Sequence, residues 1–145
     1  SHLALQGEAG NAALNGLQDK VSLRQRSAPE NMAALRDEGR RVDVVVLDPP
    51  AFVQRRKVLT KGCAAYRRIN QLALQLLSSG GLLGSASCSM HLPRAELISA
   101  LQQAAVRAGC QLRIVDQGGQ GPDHPIHPAI PETEYLKTVF ARKVE

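Results

Sequence analysis

Aromatic residues are scarce in this sequence of 145 residues, which has no Trp, two Tyr and two Phe. A protein that stacks many exposed bases needs aromatic platforms, so this composition argues against a surface of that kind. The core must instead be built from Leu, Val, Ile and Ala. The sequence also lacks an apolar run as long as a membrane span, so we predict no membrane segment.

Cysteine is scarce as well, with single residues at Cys63, Cys88 and Cys110. Their odd number and wide spacing, without a CxxC pair, give no zinc signature. This usage is typical of the reducing cytosol and predicts a cytoplasmic protein, in which each Cys is either buried packing or a nucleophile. His124 and His127 lie near prolines, where His is more often structural or solvated, so we predict no metal site.

The charge is unbalanced toward the positive, with a formal net charge of +5 and a pI of about 9.5. A modest basic excess is typical of proteins with a polyanionic partner, although many basic proteins bind no nucleic acid. Residues 54–57 and the pair Arg67 and Arg68 are either phosphate contacts or a solvated loop and helix face. The length corresponds to one domain.

Predicted strands and helices alternate along the chain. The strands are expected at residues 42–47, 82–86, 112–115 and 135–141, with a weaker one at 21–25. The helices are expected at residues 9–14, 28–36, 64–77 and 97–108. This alternation predicts an α/β fold with a parallel sheet and helices on both faces. Only a loop separates the last two strands, so the final strand is predicted to run antiparallel.

Two chemically active residues directly follow predicted strands. Asp48 begins an Asp-Pro-Pro turn after residues 42–47, and Cys88 follows residues 82–86. Ligands of open α/β sheets bind beyond the carboxyl ends of the strands, so these residues are expected at one edge. A thiolate beside a carboxylate is what addition to a pyrimidine C6 requires. Alternatively, Cys88 is a small buried hydrophobe and Asp48 caps a turn.

The order of the motifs resembles the family of rRNA large-subunit methyltransferase I over nearly the whole chain. The matching segments are residues 11–17 (NAALNGL), 45–53 (VVLDPPAFV), the helix with Tyr66 and Asn70, 80–83 (GGLL), 87–89 (SCS), 123–125 (DHP), 131–133 (PET) and 135–137 (YLK). An Asp-Pro-Pro turn alone is shared by many methyltransferases, whereas the ordered set is specific.

The resemblance implies a class I, Rossmann-like methyltransferase sheet and S-adenosylmethionine as the cofactor. It implies methylation of cytosine C5 in large-subunit ribosomal RNA. Cys88 would attack cytosine C6, and Asp48 would hold the edge of the base. The base pocket would be formed by Pro49, Pro50 and Phe52. The cofactor would contact Asp48, Ser27 and Ala28.

The sequence departs from the family pattern in three respects. The glycine-rich loop after strand 1 and the acidic residue after strand 2 are absent. Ser27 stands where an Asp is expected near the adenine. Ala86-Ser87-Cys88 replaces the doubled Cys-Ser-Cys, which leaves Cys88 as the nucleophile. We therefore interpret residues 1–145 as the C-terminal portion of a methyltransferase catalytic domain, expected to bind the cofactor weakly by itself.

The resemblance also predicts the sheet, because class I strands take the order 3-2-1-4-5-7-6 and strands 1 and 2 are missing here. Strands 4, 5, 7 and 6 would form a four-stranded sheet, with residues 42–47 at its edge. A flat apolar edge is poorly suited to solvent. We expect it to be covered by residues 21–25, by a second copy of the chain, or by the missing N-terminal half.

Two other functions remain open at this point. A methyltransferase for an exocyclic amine, such as guanine N2 or adenine N6, also uses an Asp-Pro-Pro-type turn but needs no thiol. A non-catalytic RNA-binding fragment is favoured by the missing cofactor loop. Replacement of Cys88 separates the first alternative from the cytosine-5 enzyme, and cofactor titration separates the second.

Overall fold

The computed structural model describes residues 2–145, with side chains from residue 4 onward. Ten elements follow one another along the chain. They are α1 (His2–Leu14), α2 (Ala28–Asp37), β1 (Val42–Leu47), a 3-10 turn (Arg56–Val58), α3 (Leu59–Leu76), β2 (Leu77–Ser87), α4 (Arg94–Ala108), β3 (Gln111–Gly118), a second 3-10 turn (Pro131–Thr133) and β4 (Lys137–Val144). No helix of this part of the chain has the length and hydropathy needed to cross a membrane.

The four strands form one sheet in the order β1-β2-β4-β3. Strands β1 and β2 are parallel, while β4 runs antiparallel to both of its neighbours. This is the predicted order 4-5-7-6 with an antiparallel last strand, so the predicted α/β class and topology are confirmed. Because β1 and β2 are parallel neighbours, their carboxyl ends lie side by side.

Helices α2, α3 and α4 form a contiguous layer, with α3 packed between the other two. The connections β1-α3-β2 and β2-α4-β3 advance in the same direction, and right-handed crossovers therefore put α3 and α4 on the same face. The core between layer and sheet is apolar. On the opposite face of β1, Val44 is 57% exposed and Val46 70% exposed. The residues described here therefore leave that part of the second face uncovered, unlike the predicted arrangement.

Local signals for the helix ends agree with the structure. Ser27 caps α2 in a reciprocal box, in which its side chain accepts from the Glu30 amide and the Glu30 carboxylate accepts from the Ser27 amide. Gly109 ends α4 in the left-handed region with φ 67. Only glycine enters this region without steric cost, which explains the abrupt stop.

Several boundaries and one strand differ from the prediction. Helix α3 begins at Leu59 rather than at 64, and β2 begins at Leu77 rather than at 82. Val42 pairs with Leu77 but Val44 pairs with Leu82, so residues 78–81 bulge out of the ladder instead of separating helix from strand.

The weak strand predicted at residues 21–25 is wrong, and so is the first of the three expected ways of covering the edge of β1. These residues form no strand, and within residues 2–145 strand β1 pairs only with β2. The physical reason is that an alternating pattern of four or five residues does not make a strand without a neighbour to complete its ladder. Coverage of this edge by a second copy or by further chain stays a prediction.

Candidate active site

The turn that follows β1 is shaped by its two prolines. Pro49 and Pro50 cannot donate to a ladder, so the strand ends at Leu47. Asp48 is exposed and Pro49 is buried. Val53 then enters the core at 1% exposure. The turn is thereby anchored at both ends, and its carboxylate stands at the carboxyl edge of the sheet.

A cleft of about 820 Å³ opens at this edge between the turn and helices α2 and α3. Its volume lies within the usual range for small-molecule sites. It is lined by Ser27, Ala28, Pro29, Glu30, Val46, Leu47, Asp48, Pro49, Pro50, Phe52, Ala65, Arg68 and Ile69. The structure thus brings the residues predicted for the cofactor, Ser27, Ala28 and Asp48, together with those predicted for the base, Pro49, Pro50 and Phe52.

The segment around Cys88 is held by a buried hydroxyl network. The Tyr66 hydroxyl lies 2.7 Å from Ser87 Oγ and 2.9 Å from Ser89 Oγ. The Val53 amide donates to Ser89 Oγ at 3.1 Å. Tyr66, Ser87 and Ser89 are all fully buried. These bonds join the turn after β1 to the loop after β2, so the two predicted catalytic segments are fixed against each other.

Cys88 is half-buried between the two serines. Because side chains alternate along an extended strand, Cys88 leaves the chain on the side opposite to Ser87 and Ser89, which face Tyr66. Leu47 pairs with Ser85, so Asp48 and Cys88 follow neighbouring strand ends at the same edge of the sheet. Cys88 does not line the cleft described above.

Helix α3 approaches the turn closely at Gly62, a position that sequence reasoning did not identify. A Cβ there would collide with Val53 Cγ2 and lie 3.1 Å from the Phe52 carbonyl oxygen. Phe52 packs edge-on against Tyr66, with ring centroids 4.9 Å apart and an interplanar angle of 62°. Gly62 therefore allows the contact that orients the Phe52 ring, and a helical glycine within an apolar pattern was its only sequence signal.

Lys137 is a second site residue whose role was not predicted. It is buried at the start of β4 opposite Ser87, and its Nζ donates to the carbonyl oxygens of Ser89 at 2.7 Å and Leu92 at 2.8 Å. Burial lowers the pKa of the Lys137 amino group and the Arg94 guanidinium lowers it further, while Cys88 and Glu134 oppose this. The amino group therefore holds the loop after Cys88 through two of its backbone carbonyls.

Potential metal ligands are dispersed. No group of three His, Cys, Asp or Glu that could hold a metal ion occurs among the described residues. His124 Nδ1 lies 2.9 Å from Asp123 Oδ2 in an exposed pair.

The Sγ of Cys63 lies 3.9 Å from the Glu96 carboxylate, and the pKa of the Cys63 thiol is raised, first by burial and then by that carboxylate. Such a thiol is poorly suited to act as a nucleophile.

Sequence comparison gives a clear relative but no match to a family model. The chain is 39% identical over 143 residues to ribosomal RNA large subunit methyltransferase I of Shewanella denitrificans. The match covers 98% of the chain and 36% of that relative, so the chain spans just over a third of the length of the protein it matches. The chain is therefore homologous to part of this protein, which confirms the resemblance predicted from its motifs.

Solved structures agree at the level of the fold. SMU.776, a candidate methyltransferase solved with SAH, is 16% identical with a TM-score of 0.65, covering 78% of this chain and 29% of its own. A methyltransferase homologue from Pyrococcus horikoshii is 17% identical with a TM-score of 0.58, covering 96% of this chain and 51% of its own. The architecture is that of the Rossmann-like methyltransferases.

Proposed function

We propose that this chain, a homologue of part of ribosomal RNA large subunit methyltransferase I, carries the catalytic cysteine of an RNA methyltransferase that acts on cytosine C5. The substrate would be large-subunit ribosomal RNA, and the methyl donor S-adenosylmethionine. The observation that carries the proposal is the joining of the two segments after β1 and β2 through Tyr66 and Ser89. It supports a site in which Asp48 and Cys88 act on one base.

The cleft beside Asp48 suits the adenosine part of S-adenosylmethionine. Its walls are mainly apolar, and Ser27, Ala28, Pro29 and Glu30, at the start of α2, form one side of it. Planar heterocycles bind between apolar side chains with a few polar groups at their edges. When bound, the cofactor would supply an electrophilic methyl group. Ser27, Ala28 and Asp48 are the residues that would hold it.

The protein residues orient the base. Phe52, held by Tyr66, provides an apolar edge, and the rigid Pro49-Pro50 turn provides a fixed wall. Asp48 holds the cytosine edge near N3 and accepts a hydrogen bond from the exocyclic amino group. Positioning of this kind converts a bimolecular encounter into an effectively unimolecular step, which is a large contribution to catalysis.

The covalent chemistry belongs to Cys88. Its thiolate would form a bond to cytosine C6, and the electron pair of the C5=C6 bond would move to C5. C5 would then take the methyl group that the cofactor supplies, and the electron pair of the broken S–CH3 bond would stay on the cofactor sulfur. Loss of the C5 proton to a base restores the electron pair, the S–C6 bond breaks, and Cys88 leaves as the thiolate.

Trapping the adduct tests this assignment directly. In RNA containing 5-fluorocytidine, fluorine replaces the C5 proton, so elimination of Cys88 is blocked after methyl transfer. A protein that spans the full length of its relatives should form a denaturant-resistant RNA complex, and Cys88→Ala should abolish it. Cys63→Ala and Cys110→Ala are the matched controls and should retain it. Trapping by Cys88→Ala at the rate of the parent protein contradicts the assignment.

An exocyclic-amine methyltransferase is the second candidate. The observation that favours it is that Cys88 does not line the cleft formed by Asp48, Pro49 and Phe52. In such an enzyme the Asp-Pro-Pro turn would bind the amino group, and no thiol would be needed. Methyl transfer from labelled S-adenosylmethionine to RNA by Cys88→Ala would establish this reading, whereas loss of transfer supports the cytosine-5 enzyme.

A further inference from the structure

A second cleft, of about 500 Å³, opens at the same end of the sheet beside the loop that follows Cys88. Three segments distant in sequence contribute to it: residues 56–59, residues 90–94 and residues 134–137. It is lined by Arg56, Leu59, Met90, His91, Leu92, Pro93, Arg94, Glu134 and Lys137. The cleft is therefore a product of the tertiary fold, and it is separate from the cleft beside Asp48.

The charge of this cleft is positive. Three cations, Arg56, Arg94 and Lys137, stand against a single carboxylate, that of Glu134. None of the ion pairs formed within residues 2–145 includes any of these three cations. Uncompensated cations in a concave site focus a positive potential and attract anions.

The deeper cations are fixed by backbone carbonyls. Arg94 donates to the carbonyl oxygens of Thr138 at 3.1 Å and Gly118 at 2.9 Å, and Lys137 donates to those of Ser89 and Leu92. Their mutual repulsion is seen in the effect of Arg94, which adds to burial in lowering the pKa of Lys137. An anion bound between them would relieve this repulsion. Arg56, in contrast, is exposed at the mouth and is free to close on a ligand.

We propose that this cleft binds a backbone phosphate of the RNA strand next to the target nucleotide. Phosphate contacts from Arg and Lys fix the register of a nucleic acid without reading its sequence. The apolar side chains of Leu59, Met90 and Pro93 provide a surface for the sugar. Met90 and His91 lie within three residues of Cys88, so a phosphate held here would set the position of the neighbouring base.

This inference rests on the proposed function, in that it assumes an RNA substrate, and binding measurements on the 145-residue chain test it separately from catalysis. The probe is a fluorescein-labelled single-stranded RNA of twelve nucleotides, followed by anisotropy over a range of salt concentrations. Arg56→Gln should weaken binding roughly three- to tenfold and lower the salt slope by about 0.7, because one phosphate contact is lost.

Two matched controls distinguish an effect of the cleft on RNA binding from an effect of the net charge of the chain. Arg107→Gln makes the same charge change at the far end of α4, about 20 Å along the helix from Arg94. It should leave affinity nearly unchanged. Glu134→Gln removes the one carboxylate of the cleft and should tighten binding, whereas Asp19→Asn, at an exposed site outside the cleft, should have a much smaller effect.

Equal effects of Arg56→Gln and Arg107→Gln overturn the proposal, as does an absence of RNA binding at low salt. A cleft-specific effect combined with methyl transfer by Cys88→Ala would refute the cytosine-5 chemistry and leave the phosphate site standing. Loss of trapping in Cys88→Ala without a cleft-specific effect would support the cytosine-5 chemistry and refute the phosphate site.

Discussion

Strands β1 and β2 are neighbours in the sheet, but the more apolar of the two has the more exposed side chains. Strand β1 is almost wholly apolar, yet Val44 and Val46 are 57% and 70% exposed. Strand β2 contains glycines and serines, yet Leu83, Ser85 and Ser87 are at most 1% exposed. Leu83 and Ser87 face the helix layer, and β2 has a neighbouring strand on each side. Val44 and Val46 lie on the face that the described helices leave uncovered, and β1 has one neighbouring strand within the described residues.

Strand β2, which is polar and buried, leads into the candidate site at Cys88. Strand β1, which is apolar, forms an edge of the sheet that is unpaired within the described residues, and this edge is called the open margin below. Most buried hydroxyls are hydrogen-bonded, and that of Ser87 is bonded to Tyr66. This hydrogen bond fixes the segment around Cys88 more tightly than apolar packing does, because hydrogen bonds are directional. The margin of β1 has no such constraint and can be completed by a further element of structure.

The difference in burial between β1 and β2 is tested most directly by truncating one apolar side chain in each strand. Leu83→Ala should lower the free energy of unfolding by about 2–5 kcal/mol, because it leaves a cavity in the core. Val46→Ala should cost less than about 0.5 kcal/mol, because its side chain is largely in solvent. Urea unfolding followed by circular dichroism measures both. Equal costs would show that the exposed face of β1 is covered in solution.

The hydroxyl network gives the next largest effect. Tyr66→Phe removes the partner of Ser87 and Ser89 and should cost about 1–3 kcal/mol in unfolding free energy. It should also reduce adduct trapping, because the Cys88 segment loses its anchor. Tyr135→Phe is the control, since Tyr135 is only half-buried and makes no hydroxyl hydrogen bond in the described structure. A Tyr66→Phe protein as stable as the parent would contradict the role of the network.

The open margin makes a prediction about self-association. An apolar edge strand tends to pair with another chain, so the isolated chain is expected to associate as its concentration rises. Val44→Lys should weaken this association roughly tenfold, because a lysine opposes edge pairing. Sedimentation velocity over a hundredfold concentration range measures it, with Val115→Lys on β3 as the control. A monomer at all concentrations would show that β1 tolerates its open edge.

The smallest effect concerns Ser85, whose buried Oγ has no hydrogen-bond partner within the described residues. Ser85→Ala should change the free energy of unfolding by less than about 1 kcal/mol and can raise it, because an unsatisfied hydroxyl is removed. Ser87→Ala should lower the unfolding free energy instead, since it strips a partner from Tyr66. A loss at Ser85 as large as that at Ser87 would reveal a bonded hydroxyl at Ser85.

The candidate site was partly predictable. The turn at Asp48 and the loop at Cys88 were identified because prolines and a Gly-flanked serine pair mark strand ends locally. The parts played by Gly62 and Lys137 were not, since a glycine in a helix and a lysine in a strand carry no local sign of what they approach. Their roles depend on contacts with Val53, Ser89 and Leu92, which lie 9 to 48 residues away.

The sequence by itself determined the helix ends at Ser27 and Gly109, the α/β class and, through its ordered motifs, the strand order. These follow from interactions within a few residues or from homology. Only the tertiary structure decided that residues 21–25 stay out of the sheet, that residues 78–81 bulge from β2, and that Tyr66 joins the segments after β1 and β2. Each of these depends on a partner far along the chain, because a strand or a buried hydroxyl is stable only where another segment completes its hydrogen bonds.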